Sequence, residues 1–312
     1  MPINEREQML RTDTISGAVS KQRPLVTPLA HDALSARLIE MAGFQAFAIG
    51  GSAMLAARFA LPDLGLAALG EMAAGIKDIA AATKLPFIAD GDDGYGDAKA
   101  VAHTVETYEA LGVGGILIED QLRDKKQQRA EKAVGLADEA VIEQKLRTAL
   151  AVRRNPDTWI IGRTDAYGML GLDAALRRAE RFLGLGVDGV FIAGIKTEQD
   201  YERAGKTLKG AFLSAALFEG GDTPWLSPAT LGEMGYRHVS FPAAVITRSV
   251  AAMHSALAGL RAFADGTRDL EPVPDHKNVR AALDECLNLA RWRQLETEYA
   301  QADTTASKGN TV

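Results

Sequence analysis

Three carboxylates follow one short apolar run of the chain, in the stretch ADGDDGYGD at residues 89–97. Asp90, Asp92 and Asp93 come after LPFIA, which has the length and composition of a buried strand. Carboxylates that share a small space raise one another's pKa, and a divalent cation such as Mg²⁺ removes that conflict. The stretch therefore predicts either a metal site or an ordinary turn, because Asp and Gly are also common turn residues.

Polar residues follow three further apolar runs of the chain. They are Glu119 and Asp120 after GGILI, Arg163, Thr164 and Asp165 after WIIG, and Gly50, Gly51 and Ser52 after AFAI. An arginine can bind a substrate carboxylate through two parallel hydrogen bonds, and successive backbone N–H groups at a helix start can bind an anionic oxygen. Each feature is weak alone, since an aspartate can cap a helix and an arginine can form an ion pair on the rim.

Four segments of the chain share one pattern of structural elements, and that pattern would position the polar residues at the strand ends. They are MAGFQAFAIGG (41–51), LGVGGILIED (111–120), LGVDGVFIAG (185–194) and MGYRHVSFPA (234–243). Each reads as a helix end, a glycine suited to the left-handed conformation, and a run that is apolar on both faces. That order is typical of a helix that leads into a buried parallel strand.

Eight strands are predicted, with a helical pattern after most of them. Their ranges are 24–28, 44–50, 86–90, 114–119, 159–163, 188–192, 211–215 and 237–241. Eight such units in about 240 residues match an α/β (β/α)8 TIM barrel, whose active site lies at the carboxyl ends of the strands. A doubly wound open sheet is the competitor, but the first strand lacks the Gly-rich phosphate turn of that fold.

Composition excludes several classes of protein. The 312 residues carry a net charge of −6, whereas a nucleic-acid surface needs a basic patch. There is one cysteine, Cys286, so a disulfide framework is excluded and a reducing cytoplasm is expected. The polar N-terminus has no signal-peptide core, and no run is long enough for a membrane helix.

Four regions are expected along the chain. They are a polar segment (1–20), the barrel (21–265), a C-terminal linker and helix (266–301) and a disordered tail (302–312). The predicted helix, 279–301, carries a broad apolar face that includes Leu283, Leu287 and Trp292. Such a face needs a partner, either the chain's own barrel or another subunit.

Several motifs together resemble the isocitrate lyase and phosphoenolpyruvate mutase superfamily. They are LSARLIEMAGFQAFAIGGS, LPDLGL, DGDDGYGD, GGILIEDQ and IIGRTDA, and their order and spacing match over roughly residues 24 to 260. The family pattern D-x-D-x-G-Y-G corresponds to Asp90, Asp92, Gly94, Tyr95 and Gly96. The pattern E-D-Q corresponds to residues 119–121, and R-T-D-A to residues 163–166.

The resemblance implies Mg²⁺, or Mn²⁺, bound directly or through water by Asp63, Asp90, Asp92 and Glu119. It implies that Gly50, Gly51, Ser52 and Arg163, with Asp63 close by, hold a small 2-oxo or 2-hydroxy acid. It also implies chemistry through a metal-bound enolate, which the metal and the arginine stabilise electrostatically. A homotetramer of helix-swapped dimers is implied as well, and no nucleic-acid or membrane partner is expected.

One departure from the lyase branch concerns the loop after strand 4. That branch carries K-[KR]-C-G-H, and here Gln127 stands at the cysteine position. A glutamine is not a general acid at neutral pH. Lys126 is then a catalytic candidate, Arg129 a substrate-binding candidate, and Tyr95 or water a candidate proton donor.

Three functions stay open. The first is a metal-dependent lyase or decarboxylase acting on a small dicarboxylate, with oxaloacetate as the best single substrate. The second is P–C chemistry, as a phosphonopyruvate hydrolase or mutase. The third is a metal-binding homologue without catalysis. His238 lies early in its strand and is expected to be structural, and Asp93 is expected to be a turn residue.

Overall fold

We analysed a computed structural model of the chain, which describes residues 14–123 and 135–308 and side chains as far as residue 299. Contacts divide the chain into two compact units, Met1–Ser249 and Val250–Val312. Each unit is described by itself.

The first unit is built on a parallel eight-stranded sheet. Its strands are β1 (Leu25–Pro28), β2 (Phe47–Ile49), β3 (Phe87–Asp90), β4 (Gly115–Glu119), β5 (Trp159–Thr164), β6 (Gly189–Ile192), β7 (Phe212–Ala216) and β8 (His238–Phe241). Neighbours in space follow the order β1-β8-β7-β6-β5-β4-β3-β2. A parallel bridge between Leu29 and Ala48 brings β1 beside β2. The predicted (β/α)8 barrel is confirmed.

Helices precede the first strand, connect successive strands and follow the last strand. They are α1 (Ile15–Lys21), α2 (Ala33–Met41), α3 (Gly51–Phe59), α4 (Leu69–Ala82), α5 (Ala98–Ala110), α6 (Glu139–Val152), α7 (Ala166–Gly184), α8 (Glu198–Thr207), α9 (Pro228–Met234) and α10 (Ala244–Ala264). The four glycines at predicted helix ends have the positive φ expected of them: Gly43, Gly112, Gly186 and Gly235, at 83°, 74°, 94° and 107°.

The strands are short, three to six residues each, and most of their residues are buried. Phe47 on β2 stacks on Phe87 of β3 with their ring centroids 5.1 Å apart, and both side chains are fully buried. A strand that is buried on both faces has apolar residues at successive positions, so its sequence does not alternate between apolar and polar residues.

Three buried polar side chains on neighbouring strands form a hydrogen-bonded group centred on a histidine. His238, at the start of β8, is buried and stacks on Phe212 of β7. Its Nε2 lies 2.8 Å from the Thr27 hydroxyl and its Nδ1 lies 2.9 Å from the Ser214 hydroxyl. Both ring nitrogens are thus satisfied by neighbouring strands, in accord with the expected structural role.

The second unit contains the end of α10, then α11 (His276–Cys286) and α12 (Leu289–Lys308). The sequence predicted one helix over 279–301, and the structure corrects this to two. The break falls at Asn288, whose φ of 55° is left-handed and ends the α-helical hydrogen bonding. Helix α12 also continues beyond the boundary at 302 that was predicted for a disordered tail.

Within the described ranges, none of the helices combines the length and the hydropathy that crossing a bilayer requires.

His238 should make the stability of the protein pH-dependent. Burial lowers the pKa of its imidazole from 6.5 to about 4, so this stability is complete above pH 6.5 and is lost as the pH falls to 4. The loss between pH 7 and pH 4.5 should be roughly 2 kcal/mol, measured by urea unfolding at the two pH values.

The variant His238→Gln should lack this component of the pH dependence. His103→Gln, at an exposed position on α5, is the matched control and should keep the wild-type dependence. Equal pH dependence in wild type and His238→Gln would contradict the assignment.

Candidate active site

Three carboxylates converge at the carboxyl ends of β3 and β4. Asp90 ends β3, Asp92 lies in the turn that follows, and Glu119 ends β4. One oxygen of each lies within 4.8 Å of the others, and Glu119 is fully buried. Oxygen ligands at this spacing suit a hard divalent cation.

The turn that carries Asp92 is held in an unusual backbone conformation. Asp92 has a φ of 47° and Tyr95 a φ of 60°, which side-chain-bearing residues seldom adopt. The Asp92 N–H donates to the Asp90 carboxylate at 3.0 Å, and the Asp92 carbonyl accepts from the Glu119 N–H at 2.8 Å. The turn is thereby attached to β4, and Asp90, Asp92 and Glu119 are linked through their backbones and the Asp90 carboxylate.

Arg163 lies directly beside the carboxylate group, on β5 opposite Glu119. Its Nη1 is 2.9 Å from a Glu119 oxygen, while Nε and Nη2 donate to the two Asp165 oxygens at 2.8 and 2.9 Å. Burial alone would lower the pKa of this guanidinium, but Asp165 and Glu119 outweigh burial and raise the pKa well above its usual value. Arg163 is therefore a fixed positive charge.

A second, deeper network holds Asp165 in place. The buried Asp120 carboxylate accepts from the Asp165 N–H at 2.9 Å, from the Thr164 hydroxyl at 2.6 Å and from Arg178 at 2.9 Å. Burial raises the pKa of Asp120, and the hydrogen bonds from Thr164 and Asp165 oppose that rise. Asp120 therefore positions the end of β5, a larger role than the helix cap that the sequence left open.

Gln121 completes this side of the mouth. Its Nε2 donates to the Asp165 carboxylate at 2.8 Å. Its Oε1 is buried and finds no hydrogen-bond partner among the residues that the structure describes. That oxygen is available to accept a hydrogen bond from water or from a ligand hydroxyl.

Tyr95 lies in the same turn as Asp92. Its hydroxyl lies 3.1 Å from that of Tyr108, and the Tyr108 hydroxyl donates to the Asp90 carbonyl at 3.0 Å. Because Tyr108 has one proton to give, Tyr95 must be the donor to Tyr108. Burial raises the pKa of Tyr95 well above its usual value. Because the Tyr95 proton is hydrogen-bonded to Tyr108 and its pKa is high, Tyr95 is a poor candidate for proton transfer to a substrate.

Gly50 and Gly51 lie where β2 passes into α3. Gly50 is the N-cap of α3, and Gly51 is buried while Ser52 is exposed. A Cβ on Gly51 would lie 4.0 Å from an Asp63 oxygen, so this carboxylate sits beside the helix start. Among the described residues, the group of three mutually close ligands comprises Asp90, Asp92 and Glu119 without Asp63.

Asp93 lies in a turn, as the sequence predicted, and it has a further role that the prediction did not include. Its side chain is buried and forms ion pairs with Lys145 of α6 at 3.1 Å and with Arg123 at 3.0 Å. The sequence did contain a signal for this: Lys145 falls in the buried stripe of α6 between Ile142 and Leu146. A lysine in an apolar stripe needs a buried partner.

Two residues predicted to act at the site, Lys126 and Arg129, lie outside the described residues, as does Gln127. Their roles stay predictions. The segment's two flanks do meet, because Gln121 and Leu136 form an antiparallel bridge and the Leu122 N–H donates to the Gly135 carbonyl at 2.8 Å.

A known family accounts for this arrangement. The model of the phosphoenolpyruvate phosphomutase family matches residues 18–261. The chain belongs to this family. The resemblance to the isocitrate lyase and phosphoenolpyruvate mutase superfamily is thus confirmed.

Individual relatives include carbon–carbon lyases. The chain is 34% identical over 282 residues to 2,3-dimethylmalate lyase of Eubacterium barkeri, covering 90% of this chain and 96% of the relative. It is 36% identical to a probable 2-methylisocitrate lyase of Corynebacterium glutamicum, over 75% and 76% of the two chains. An oxaloacetate decarboxylase of Rhodopseudomonas palustris is 37% identical over 55% of this chain and 59% of its own length.

A solved structure supports the same relationship. Oxaloacetate acetylhydrolase in complex with the product oxalate superposes with a TM-score of 0.83 at 26% identity. The match covers 94% of this chain and 99% of the other.

The carboxylate group fits a divalent metal by its chemistry. Three acidic side chains lie within 4.8 Å of one another, and one of them is fully buried. Arg163 neutralises part of that charge from one side only. A cation among the three oxygens would remove the remaining repulsion.

Asp92→Asn should weaken Mn²⁺ binding by at least about tenfold, because it removes one charged ligand. Isothermal titration of the substrate-free protein measures this directly. The rise in melting temperature on adding Mn²⁺ should shrink as well. Asp97→Asn is the matched control, since Asp97 caps α5 of the same segment and Asn caps equally well. Unchanged affinity in Asp92→Asn would refute the site.

Proposed function

We propose that this protein is a Mg²⁺-dependent lyase or decarboxylase of small 2-oxo or 2-hydroxy dicarboxylates, with oxaloacetate as the first candidate substrate. The observation that carries the proposal is Arg163, which Asp165 holds through two hydrogen bonds and which lies 2.9 Å from Glu119 of the carboxylate group. A fixed guanidinium beside a cation site suits an acid with neighbouring carboxylate and oxo or hydroxyl oxygens.

The reaction would break the bond at C3 of the acid and leave its electron pair in an enolate. When bound, Mg²⁺ supplies Lewis-acid charge at the oxygens of the acid. Arg163 contributes a second positive charge that needs no reorganisation, because Asp165 and Glu119 already fix its position. The N–H groups at the start of α3, at Gly51 and Ser52, would bind a carboxylate oxygen.

We favour decarboxylation over lyase cleavage by the usual route because the two reactions differ in the source of the proton that the product carbon takes up. Gln127 stands where the lyase branch has its loop cysteine, and the chain's one cysteine is at 286. After loss of CO₂ the enolate carbon takes one proton, which water can supply. The similarity to an oxaloacetate decarboxylase supports this choice, and that to 2,3-dimethylmalate lyase supports a 2-hydroxy dicarboxylate.

P–C bond chemistry is the second candidate, because the matching family model is that of phosphoenolpyruvate phosphomutase. Lys126 and Arg129 would provide cations for a phosphonate. A metal-binding homologue without catalysis is the third reading. The geometry of the carboxylates and Arg163 speaks against it, because the site is already arranged for an anionic ligand.

Assembly and location remain predictions as well. We expect a homotetramer of helix-swapped dimers in the cytoplasm. Leu287 and Trp292 of the second unit are exposed in the single chain, which supports a partner subunit. Sedimentation of the full-length protein tests the assembly.

Substrate is best tested with a panel whose members all release pyruvate. Oxaloacetate gives CO₂ as coproduct, 2,3-dimethylmalate gives propionate, 2-methylisocitrate gives succinate and phosphonopyruvate gives phosphate. We expect Mg²⁺-dependent release from oxaloacetate that EDTA abolishes, measured with lactate dehydrogenase as the coupling enzyme.

Free Mg²⁺ also promotes decarboxylation of oxaloacetate, so the background is measured without protein and with Asp92→Asn. Turnover of phosphonopyruvate alone would favour the second candidate. No turnover of any acid by protein that binds Mn²⁺ would overturn the proposed activity and leave the metal site standing.

Asp165→Asn should lower kcat/KM by about thirtyfold with the accepted substrate. The variant replaces charge-assisted hydrogen bonds to Arg163 with weaker neutral ones, a loss of roughly 2 kcal/mol. Asp188→Asn is the matched control, because Asp188 pairs with Arg153 at the opposite end of the barrel wall. Asp188→Asn should lower stability but leave kcat/KM of the folded protein unchanged. Equal kcat/KM for Asp165→Asn and wild type would exclude Arg163 positioning by Asp165.

A further inference from the structure

An ion cluster of Asp93, Lys145 and Arg123 lies directly behind the metal-binding turn. Asp93 and Lys145 are 6% and 8% exposed, so two charged side chains have been taken almost wholly out of water. Burial of charge is costly unless the geometry compensates it, and a merely structural position could be filled by apolar residues. The burial of these charges therefore indicates that the cluster holds a neighbouring part of the structure in place.

Lys145 binds both the backbone and the side chain of the turn. Its Nζ donates to the Asp93 carbonyl at 2.7 Å and to the Asp93 carboxylate at 3.1 Å. The other carboxylate oxygen accepts from the Tyr95 N–H at 3.1 Å. These bonds fasten the residues on either side of Gly94, directly after the ligand Asp92, whose left-handed φ of 47° needs such support.

Arg123 connects the turn to a second loop at the mouth. Its Nη1 donates to the Asp93 carboxylate at 3.0 Å, and its Nη2 donates to the Ala67 carbonyl at 3.2 Å. Its guanidinium also lies over the Tyr95 ring, 5.3 Å from the ring centroid. The loop that contains Ala67 is the one that carries Asp63, the fourth predicted metal ligand.

We propose that Asp93, Lys145 and Arg123 are positioning residues that set the affinity of the site for its divalent cation. They hold the Asp92 turn against α6 and attach the Asp63 loop to that turn. The inference rests on the metal site of the proposed function, but not on the identity of the substrate.

The proposal makes a prediction opposite to that of simple electrostatics. Lys145→Met removes a positive charge near the site, and by Coulomb attraction alone the cation should then bind more tightly. If Lys145 acts by positioning the turn, the same variant should bind the cation more weakly. The sign of the change in affinity therefore separates the two roles.

The experiment is a titration of the full-length, substrate-free protein with Mn²⁺ by calorimetry, in parallel with thermal unfolding. We expect Asp93→Asn and Lys145→Met each to raise the Kd for Mn²⁺ by about 10- to 100-fold, the range typical of residues that orient metal ligands. Arg123→Met, at the more exposed cation, should raise it by less. Lys145→Arg should recover part of the affinity. At saturating Mg²⁺, kcat should fall far less than the affinity.

Asp97→Asn, an Asp-to-Asn change in the same segment that leaves the cluster intact, should keep the wild-type Kd. A Kd for Lys145→Met equal to or below that of wild type would overturn the proposal, even if the variant melts at a lower temperature. Should Asp93→Asn fail to fold, the same comparison is decided by Lys145→Met and Arg123→Met. Failure of wild type to bind Mn²⁺ would instead refute the metal site of the proposed function.

Discussion

Like-charge repulsion among carboxylates at the ends of β3 and β4 is the constraint on which the rest of the site depends. Asp90, Asp92 and Glu119 lie within 4.8 Å of one another in a mouth where Glu119 has no contact with water. Such a group persists only with positive charge beside it. Arg163 provides part of that charge from β5, and the proposed divalent cation would provide more.

On each side of the group of Asp90, Asp92 and Glu119, a buried carboxylate forms ion pairs with basic side chains and holds the backbone in place. On the β3 side Asp93 binds Lys145 and Arg123, and on the β5 side Asp120 binds Arg178 and the Asp165 N–H. Buried pairs of this kind contribute little net stability compared with apolar packing. Their value lies in geometry, because catalysis by preorganised charge depends on groups that do not move during the reaction.

Proton supply is the point at which this chain departs from the lyase branch of its family. By the resemblance of motifs, Gln127 stands at the position of the loop cysteine. Tyr95 donates its proton to Tyr108, which donates to the Asp90 carbonyl. Both features leave fewer side chains at the mouth of the barrel that could act as a general acid. A reaction whose product carbon can take its proton from water fits this environment better than one that needs a dedicated acid.

The sequence by itself determined the barrel and the residues of the carboxylate group. The buried parallel strands are short apolar runs, four of which follow a predicted helix-end glycine with a positive φ, and all eight strands lie within three residues of their predicted ends. Parallel strands end on one face, so Asp90, Glu119 and Arg163 had to meet. Only the tertiary structure decided that Asp93 is buried, because Lys145 is 52 residues away along the chain. Likewise, Asp120 reaches Arg178 across 58 residues. Pairing at such distances depends on which helix face packs on which strand end, and local periodicity does not specify it.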